Sequence, residues 1–205
     1  MSRYDAVFFD FDGVLADSEP IHYQCWREVL ADYGVHLDWD TYARVCIGVA
    51  DRPMVQALCR QIAPPADFDR VWQDYPRKNA LFRERVAIQP PVSAATIEFV
   101  RSLSGYKMAV VSSSHRSEVE PMLIAAGIRV CFDAVVCGGD VARLKPAPEP
   151  YVKAAELTGA RVALVVEDSE SGIASGRAAG FDVVAVRSTA EVPELVRAAL
   201  NGIRA

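Results

Sequence analysis

Two hydrophobic rhythms divide this chain. Ala6, Val7, Phe8 and Phe9 form a short unbroken apolar run, the pattern of a strand buried on both faces. The rhythm then becomes helical. Asp17-Ser18-Glu19-Pro20 carries helix-start residues, and Ile21, Cys25, Trp26, Val29, Leu30 and Tyr33 follow at helical spacing until Gly34 stops them. Further helical pieces are predicted over Trp39 to Cys46 and Arg52 to Ile62. Another uses Phe68, Val71, Trp72 and Tyr75, with Pro76 kinking or interrupting it before Phe82. From Ile88 the pattern changes again. Pro90-Pro91 marks a junction, Ser93 starts a helix ending near Gly105, and short apolar strands then alternate with helices. The strands are expected at Met108–Val111, Ala134–Val136, Val162–Val166 and Val183–Val186, with helices over Glu118–Ala126, Pro150–Leu157, Ser171–Ala179 and about Glu191–Asn201. Val-rich strands with helical returns imply a parallel sheet covered on both faces. The prediction is an α/β, Rossmann-like core (residues 1–15 and 87–205) with an all-helical cap (16–86) inserted after the first strand.

Composition narrows the class. Hydrophobic residues make up 51% of the 205, enough for a real core, so disorder is excluded. The formal net charge of -5 comes with scattered Lys and Arg, which argues against a nucleic-acid surface. Five cysteines, with no Cys-x-x-Cys pair, read as reduced thiols. The first residues lack a secretory pattern, and no apolar run reaches membrane-spanning length, so a cytoplasmic protein with no membrane partner is the expectation, as a monomer.

In open parallel sheets ligands sit outside the carboxyl ends of the strands, so the residues there decide the chemistry. The first strand ends on Asp10 and Asp12, whose i, i+2 spacing on extended backbone turns both toward one point. The second ends at Ser112-Ser113-Ser114-His115-Arg116, the third at Cys137-Gly138-Gly139-Asp140, and the fourth at Glu167-Asp168. Lys145 stands between prolines in Leu144-Lys145-Pro146-Ala147-Pro148. Asp10, Asp12, Glu167 and Asp168 supply hard oxygen ligands suited to Mg²⁺. Ser112 and Ser113 at a helix start suit a phosphate oxygen, and Lys145 adds a point charge for the same group. A small phosphorylated metabolite is the substrate class this collection fits, with one carboxylate attacking in line and Asp12 as acid or base.

Asp10-Phe11-Asp12-Gly13-Val14, Ser112, Lys145-Pro146 and Glu167-Asp168-Ser169 with Gly172 resemble, in order, the four motifs of the haloacid dehalogenase superfamily of phosphotransferases, and the helical block stands where that family's C1 cap does. The resemblance implies an aspartyl-phosphate on Asp10, acid/base catalysis by Asp12, and Mg²⁺ held by Asp10, the Asp12 carbonyl and Asp168 with Glu167 assisting. Asp17-Ser18-Glu19-Pro20-Ile21-His22 with Trp26, Arg77-Lys78-Asn79, and Lys145-Pro146-Ala147-Pro148 resemble the subgroup of β-phosphoglucomutase and sugar-phosphate phosphatases. It implies that His22 and Lys78 serve the hinge and cap side of the site. His115-Arg116 stands where the mutase has lysine and asparagine, and Arg52 is one place displaced from the mutase arginine. The implied activity is therefore a phosphatase, with a phosphosugar mutase as the alternative and a non-catalytic phospho-ligand sensor as a remote one. Ser114, His115, Arg116, His22, Arg52 and Lys78 are the candidate substrate or cap residues. A strand usual in the family after Val186 is missing, which predicts a trimmed sheet edge.

Overall fold

A computed structural model describes residues 3–47, 49 and 51–202. The chain divides into two compact units, Met1–Asp17 with Gln89–Ala205, and Ser18–Ile88. Each junction falls two residues beyond the expected limit. Ser18 is the cap of the first helix, and the last helix of the inserted block continues to Ile88.

The larger unit is built on five parallel strands, β1 (Ala6–Phe9), β2 (Lys107–Val111), β3 (Ala134–Val136), β4 (Ala163–Glu167) and β5 (Asp182–Ala185), in the order β3-β2-β1-β4-β5. Because β1 is central and pairs on both sides, all four of its residues are fully buried. That burial is why it reads as a continuous apolar run rather than an alternating one. Phe8 and Phe9 point to opposite faces. Phe8 meets Phe181 edge-on at 5.8 Å, and Phe9 meets Phe99 at 6.4 Å and Phe132 at 6.3 Å. On the Phe8 face, Tyr151 and Ala154 of the helix Glu149–Thr158 join the core. The edge strand β5 is partly exposed and lies one residue earlier than expected, as the pairing of Glu167 with Ala185 sets its register.

The smaller unit holds α1 (Glu19–Ala31), α2 (Trp39–Val45), α3 (Asp51–Arg60), α4 (Phe68–Gln73) and α5 (Tyr75–Ile88). Aspartate caps open α2 and α4. Asp38 accepts from the Thr41 amide at 2.7 Å, and Asp67 accepts from the Asp69 amide at 3.0 Å. Pro76 kinks no helix, because the chain breaks at Asp74 and leaves Pro76 in the first turn of α5, where no intrahelical donor is lost. Among the described residues the α-helices of the larger unit are α6 (Ala94–Ser102), α7 (Arg116–Ala125), α8 (Glu149–Thr158), α9 (Glu170–Ala178) and α10 (Val192–Leu200). α7 begins two residues before the expected Glu118 and carries Pro121 inside. No helix among the described residues is long and apolar enough to cross a membrane. The five cysteines are free.

Candidate active site

Register brings the site together. Phe9 pairs with Val110 of β2 and Val166 of β4, so the next residues, Asp10, Val111 and Glu167, stand level across three strands. The Lys145 ammonium donates to all three: Asp10 Oδ1 at 2.5 Å, the Val111 carbonyl at 2.8 Å and Glu167 Oε1 at 2.5 Å. Its side chain is 4% exposed. Burial alone would lower its pKa, but Asp10 and Glu167 hold it above the ordinary lysine value. The Lys145 loop is tied down at Ala147, whose carbonyl accepts from the buried Ser175 hydroxyl of α9 at 2.6 Å.

Asp10 and Asp12 have different partners. Burial pushes the Asp10 carboxyl up, to about 8, against the pull of Lys145, and the charges of Glu167 and Asp12 add to the rise. Asp12 Oδ2 accepts instead from the Ser114 hydroxyl at 2.8 Å. Between them and α1 the chain turns at Gly13 (φ 78°), whose amide donates to the Ala16 carbonyl at 2.8 Å. Glycine is required there twice over, for its left-handed backbone and because a Cβ would overlap the Asp168 carboxylate.

Glu167 is fully buried and saturated with donors. Oε1 accepts from Lys145 and from the Tyr151 hydroxyl at 2.7 Å. Oε2 accepts from the Ser169 hydroxyl at 3.1 Å and the Asp168 amide at 3.2 Å. Ser169 also caps α9 by accepting from the Gly172 amide at 3.1 Å, and a Cβ at Gly172 would overlap the Glu167 carboxylate. Burial raises the Asp168 carboxyl, and the neighbouring Glu167 charge adds to it.

Oxygens of Asp10, Glu167 and Asp168 lie within 4.8 Å of one another. With Asp12, four carboxylates gather around a single ammonium, and Gly13 and Gly172 are the residues that leave room for two of them. A hard divalent cation with oxygen ligands fits this donor set and relieves its excess negative charge.

Ser112 is buried, its amide donates to the Val136 carbonyl at 2.9 Å, and its hydroxyl accepts from the Ser114 amide at 3.0 Å. Ser113 is exposed, and His115 occupies the N-cap position of α7 without a side-chain capping bond, its Nδ1 lying 3.0 Å from the Ser117 hydroxyl. Arg116 is engaged away from the Asp10–Lys145 cluster, with its guanidinium donating to the Val135 carbonyl at 2.8 Å and Asp140 at 2.6 Å. Arg116 is the first residue of α7, four places after Ser112, and its side chain runs to β3 and the turn that follows it.

In the helical unit, His22 and Lys78 share one cluster. The His22 ring stacks on Phe82 at 4.1 Å, and Lys78, with no exposed surface, lies 3.3 Å from Asp51 and over the rings of Trp26, Tyr75 and Phe82. Asp51 also accepts from the Trp26 indole N–H at 2.9 Å. Arg52 lies over Phe68 and Trp72 instead. Tyr151 and Ser175 escaped the sequence reading, which places Asp140 at a strand end but gives it no role. Tyr151 left only the signal of an aromatic one turn into the helix after Lys145-Pro146.

Fold and carboxylate cluster together define a Rossmann-like α/β enzyme. The chain belongs to the haloacid dehalogenase-like hydrolase family, which it matches over residues 7–186. It is 34% identical over 195 residues to the fructose-1-phosphate phosphatase YqaB of Escherichia coli, spanning 90% of this chain and 97% of that protein. A phosphorylated carbohydrates phosphatase of Thermotoga maritima is 30% identical over 181 residues, 87% of this chain and 82% of that one. Among solved structures, a haloacid dehalogenase superfamily hydrolase of subfamily IA from Geobacter sulfurreducens shares the fold, with a TM-score of 0.78 at 23% identity over 95% of this chain and 97% of that one. A β-phosphoglucomutase from Clostridium difficile shares it at a TM-score of 0.73 and 18% identity, with 97% of both chains covered.

Proposed function

We propose that this chain is a Mg²⁺-dependent phosphatase that hydrolyses a small phosphorylated metabolite, a sugar phosphate, through an aspartyl-phosphate on Asp10. The observation that carries the reading is the division of labour at the end of β1. Asp10 is bound to a buried ammonium, which suits a nucleophile facing an anionic substrate, while Asp12 is held by a hydroxyl, which suits a group that gives and takes a proton. A carboxylate oxygen of Asp10 attacks phosphorus as the bond to the leaving oxygen breaks, and Asp12 protonates that oxygen. Asp12, now ionised, takes a proton from water as the water attacks phosphorus, and Asp10 is released with inorganic phosphate. Lys145 offsets the charge on the phosphoryl oxygens, and the Ser112 hydroxyl orients one of them. Asp10, Asp168 and the Asp12 carbonyl would hold the cation, with Glu167 anchoring the arrangement from behind. When bound, that cation neutralises phosphate charge and so lowers the repulsion Asp10 meets.

The relatives support a sugar phosphate, and fructose 1-phosphate is the first substrate to test because the Escherichia coli relative is named for it. Phosphate release from a panel of sugar phosphates and other phosphorylated metabolites, with Mg²⁺ and after chelation, tests the reading. Release from at least one sugar phosphate, abolished by chelation and restored by Mg²⁺, is expected. Isomerisation of a hexose phosphate with little free phosphate would overturn the hydrolase reading in favour of a mutase.

A further inference from the structure

Arg116 sits two residues after Ser114, yet its contacts run to the neighbouring strand. Besides the Val135 carbonyl and Asp140, it lies 3.5 Å from Glu120 one turn along α7. Asp140 in turn accepts from the Cys137 amide at 2.7 Å, closing the short 3₁₀ turn Gly138–Asp140 on itself. The Asp140 carbonyl accepts from Lys153 of α8 at 2.5 Å. The two loops also touch directly. The Gly138 amide donates to the Ser114 carbonyl at 3.1 Å, and a Cβ at Gly138 would overlap the Ser113 carbonyl. Lys145 follows Asp140 by five residues, and α8 follows Lys145.

We propose that Arg116 and Asp140 are positioning residues, an ion pair that locks the Ser112–Ser114 loop to the turn after β3 and so sets where Lys145 stands relative to Ser112. The three parts of the lock act at different points. Gly138 lets the backbones approach, the Arg116–Asp140 pair holds the turn to the N-terminus of α7, and Lys153 pins the same turn to the helix that leaves the Lys145 loop. The pair is partly exposed, with side-chain exposures of 42% for Arg116 and 27% for Asp140, but its hydrogen bond is short and charge-assisted and Asp140 is also held by the Cys137 amide. Burial raises the Asp140 carboxyl, but the Cys137 amide and the Arg116 guanidinium outweigh it and keep it ionised below the usual carboxylate range. This inference rests on the phosphatase reading for its catalytic consequence but not for its structural one.

The test compares Arg116→Ala and Asp140→Asn with Arg129→Ala. Arg129 is a control because it also pairs with Glu120, at 3.1 Å, and with a carbonyl, Phe132 at 3.0 Å, without touching either loop. Two measurements are made: amide hydrogen exchange in free protein, and steady-state hydrolysis of p-nitrophenyl phosphate and fructose 1-phosphate. Both lock variants are expected to speed exchange over residues 112–116 and 137–145, and to lower kcat by roughly tenfold on both substrates alike. Arg129→Ala should lower the melting temperature comparably while leaving kcat within about twofold and both loops protected. If Arg116→Ala does not fold, Asp140→Asn carries the test, since the amide oxygen can still accept from Cys137. Unchanged exchange in both loops, a loss confined to KM for one substrate, or equal losses in Arg129→Ala would overturn the proposal. If wild type releases phosphate from neither substrate, kcat is read on a sugar phosphate that the panel identifies; release from none of the panel fails the phosphatase reading, while the exchange data still decide the lock.

Discussion

Two lysines are buried in this protein, one in each unit, and they are stabilised by different chemistry. The Lys145 side chain is 4% exposed and faces two carboxylates, a carbonyl and the ring of Tyr151 at 5.2 Å. Lys78 is 0% exposed and faces three aromatic rings between 5.5 and 5.8 Å and a single carboxylate at 3.3 Å. An isolated buried ammonium is costly, so each needs compensation. Around Lys145 compensation comes as negative charge in excess, a donor set that a hard divalent cation fits. Around Lys78 it comes as π faces, worth about 0.5–2 kcal/mol each in favourable positions, with Asp51 the one counter-charge among the described residues. Carboxylate excess makes a reactive site. The aromatic cage makes a fixed one that depends on its lone anion.

The largest predicted effect falls on the carboxylate side. Asp10→Asn keeps the size of the side chain but removes the attacking charge, and turnover should fall by roughly a thousandfold or more. Lys145 keeps Glu167 and the Val111 carbonyl, so the fold should persist. Phosphate release and thermal melting, followed together, check this. Near-normal turnover in a well-folded variant would remove Asp10 from the nucleophile's role.

On the cage side the prediction concerns stability. Asp51→Ala leaves Lys78 buried without its counter-charge, and removing one partner of such a pair costs about 3–5 kcal/mol. Lys78→Met keeps the packing against Trp26, Tyr75 and Phe82. It leaves Asp51, 29% exposed, with its indole donor, so it should cost less than about 1.5 kcal/mol. Urea midpoints of the two variants measure the difference. A loss in Asp51→Ala no larger than about 1.5 kcal/mol would mean that the cage does not depend on Asp51.

How far these regions were legible follows from what held them in place. Residues fixed by backbone position were readable. Asp10 and Asp12 end an apolar run, Glu167 and Asp168 end another, and Lys145 is framed by prolines, so sheet topology alone gathers most of them. Residues fixed by side-chain direction were not. Arg116 follows Ser112 closely, but its side chain turns to Asp140 and the Val135 carbonyl. Tyr151 reads as an ordinary core aromatic, and only the three-dimensional packing shows its hydroxyl on Glu167. Lys78 did leave a trace: Tyr75, Lys78 and Phe82 fall at i, i+3 and i+7, which places a lysine on the apolar stripe of α5.

A smaller effect is expected at the fully buried hydroxyl that supports Glu167. Tyr151→Phe keeps the ring over Lys145 and removes one donor to a carboxylate that retains Lys145 and Ser169, so the loss should be about 1–2 kcal/mol. Thermal melting checks it. A loss as large as that of Asp51→Ala would place the critical dependence on a single partner in the carboxylate cluster as well.

The smallest effect at neutral pH belongs to His22, and its sign is set by the cage. Burial lowers the His22 pKa, to about 3, and the Lys78 ammonium lowers it further, with Asp51 acting the other way. In the unfolded chain a histidine titrates near 6.5, so between about pH 3 and 6.5 the unfolded state binds a proton that the folded state does not. Stability from the neutral ring is therefore fully present above pH 6.5 and is lost as pH falls toward 3. Phenylalanine can stack on Phe82 as the imidazole does and has no proton to gain. His22→Phe should match wild type within about 1 kcal/mol at pH 7.5, a volume-conserving change. As pH is lowered to 4.5 it should become the more stable of the two, by roughly 2 kcal/mol. Carboxylate protonation destabilises both proteins equally over that range, so the difference between the two urea-unfolding curves isolates His22. Parallel curves from pH 7.5 to 4.5 would show that the ring is free to take up a proton in the folded state, and that the Lys78 cage is more open to water than its burial implies.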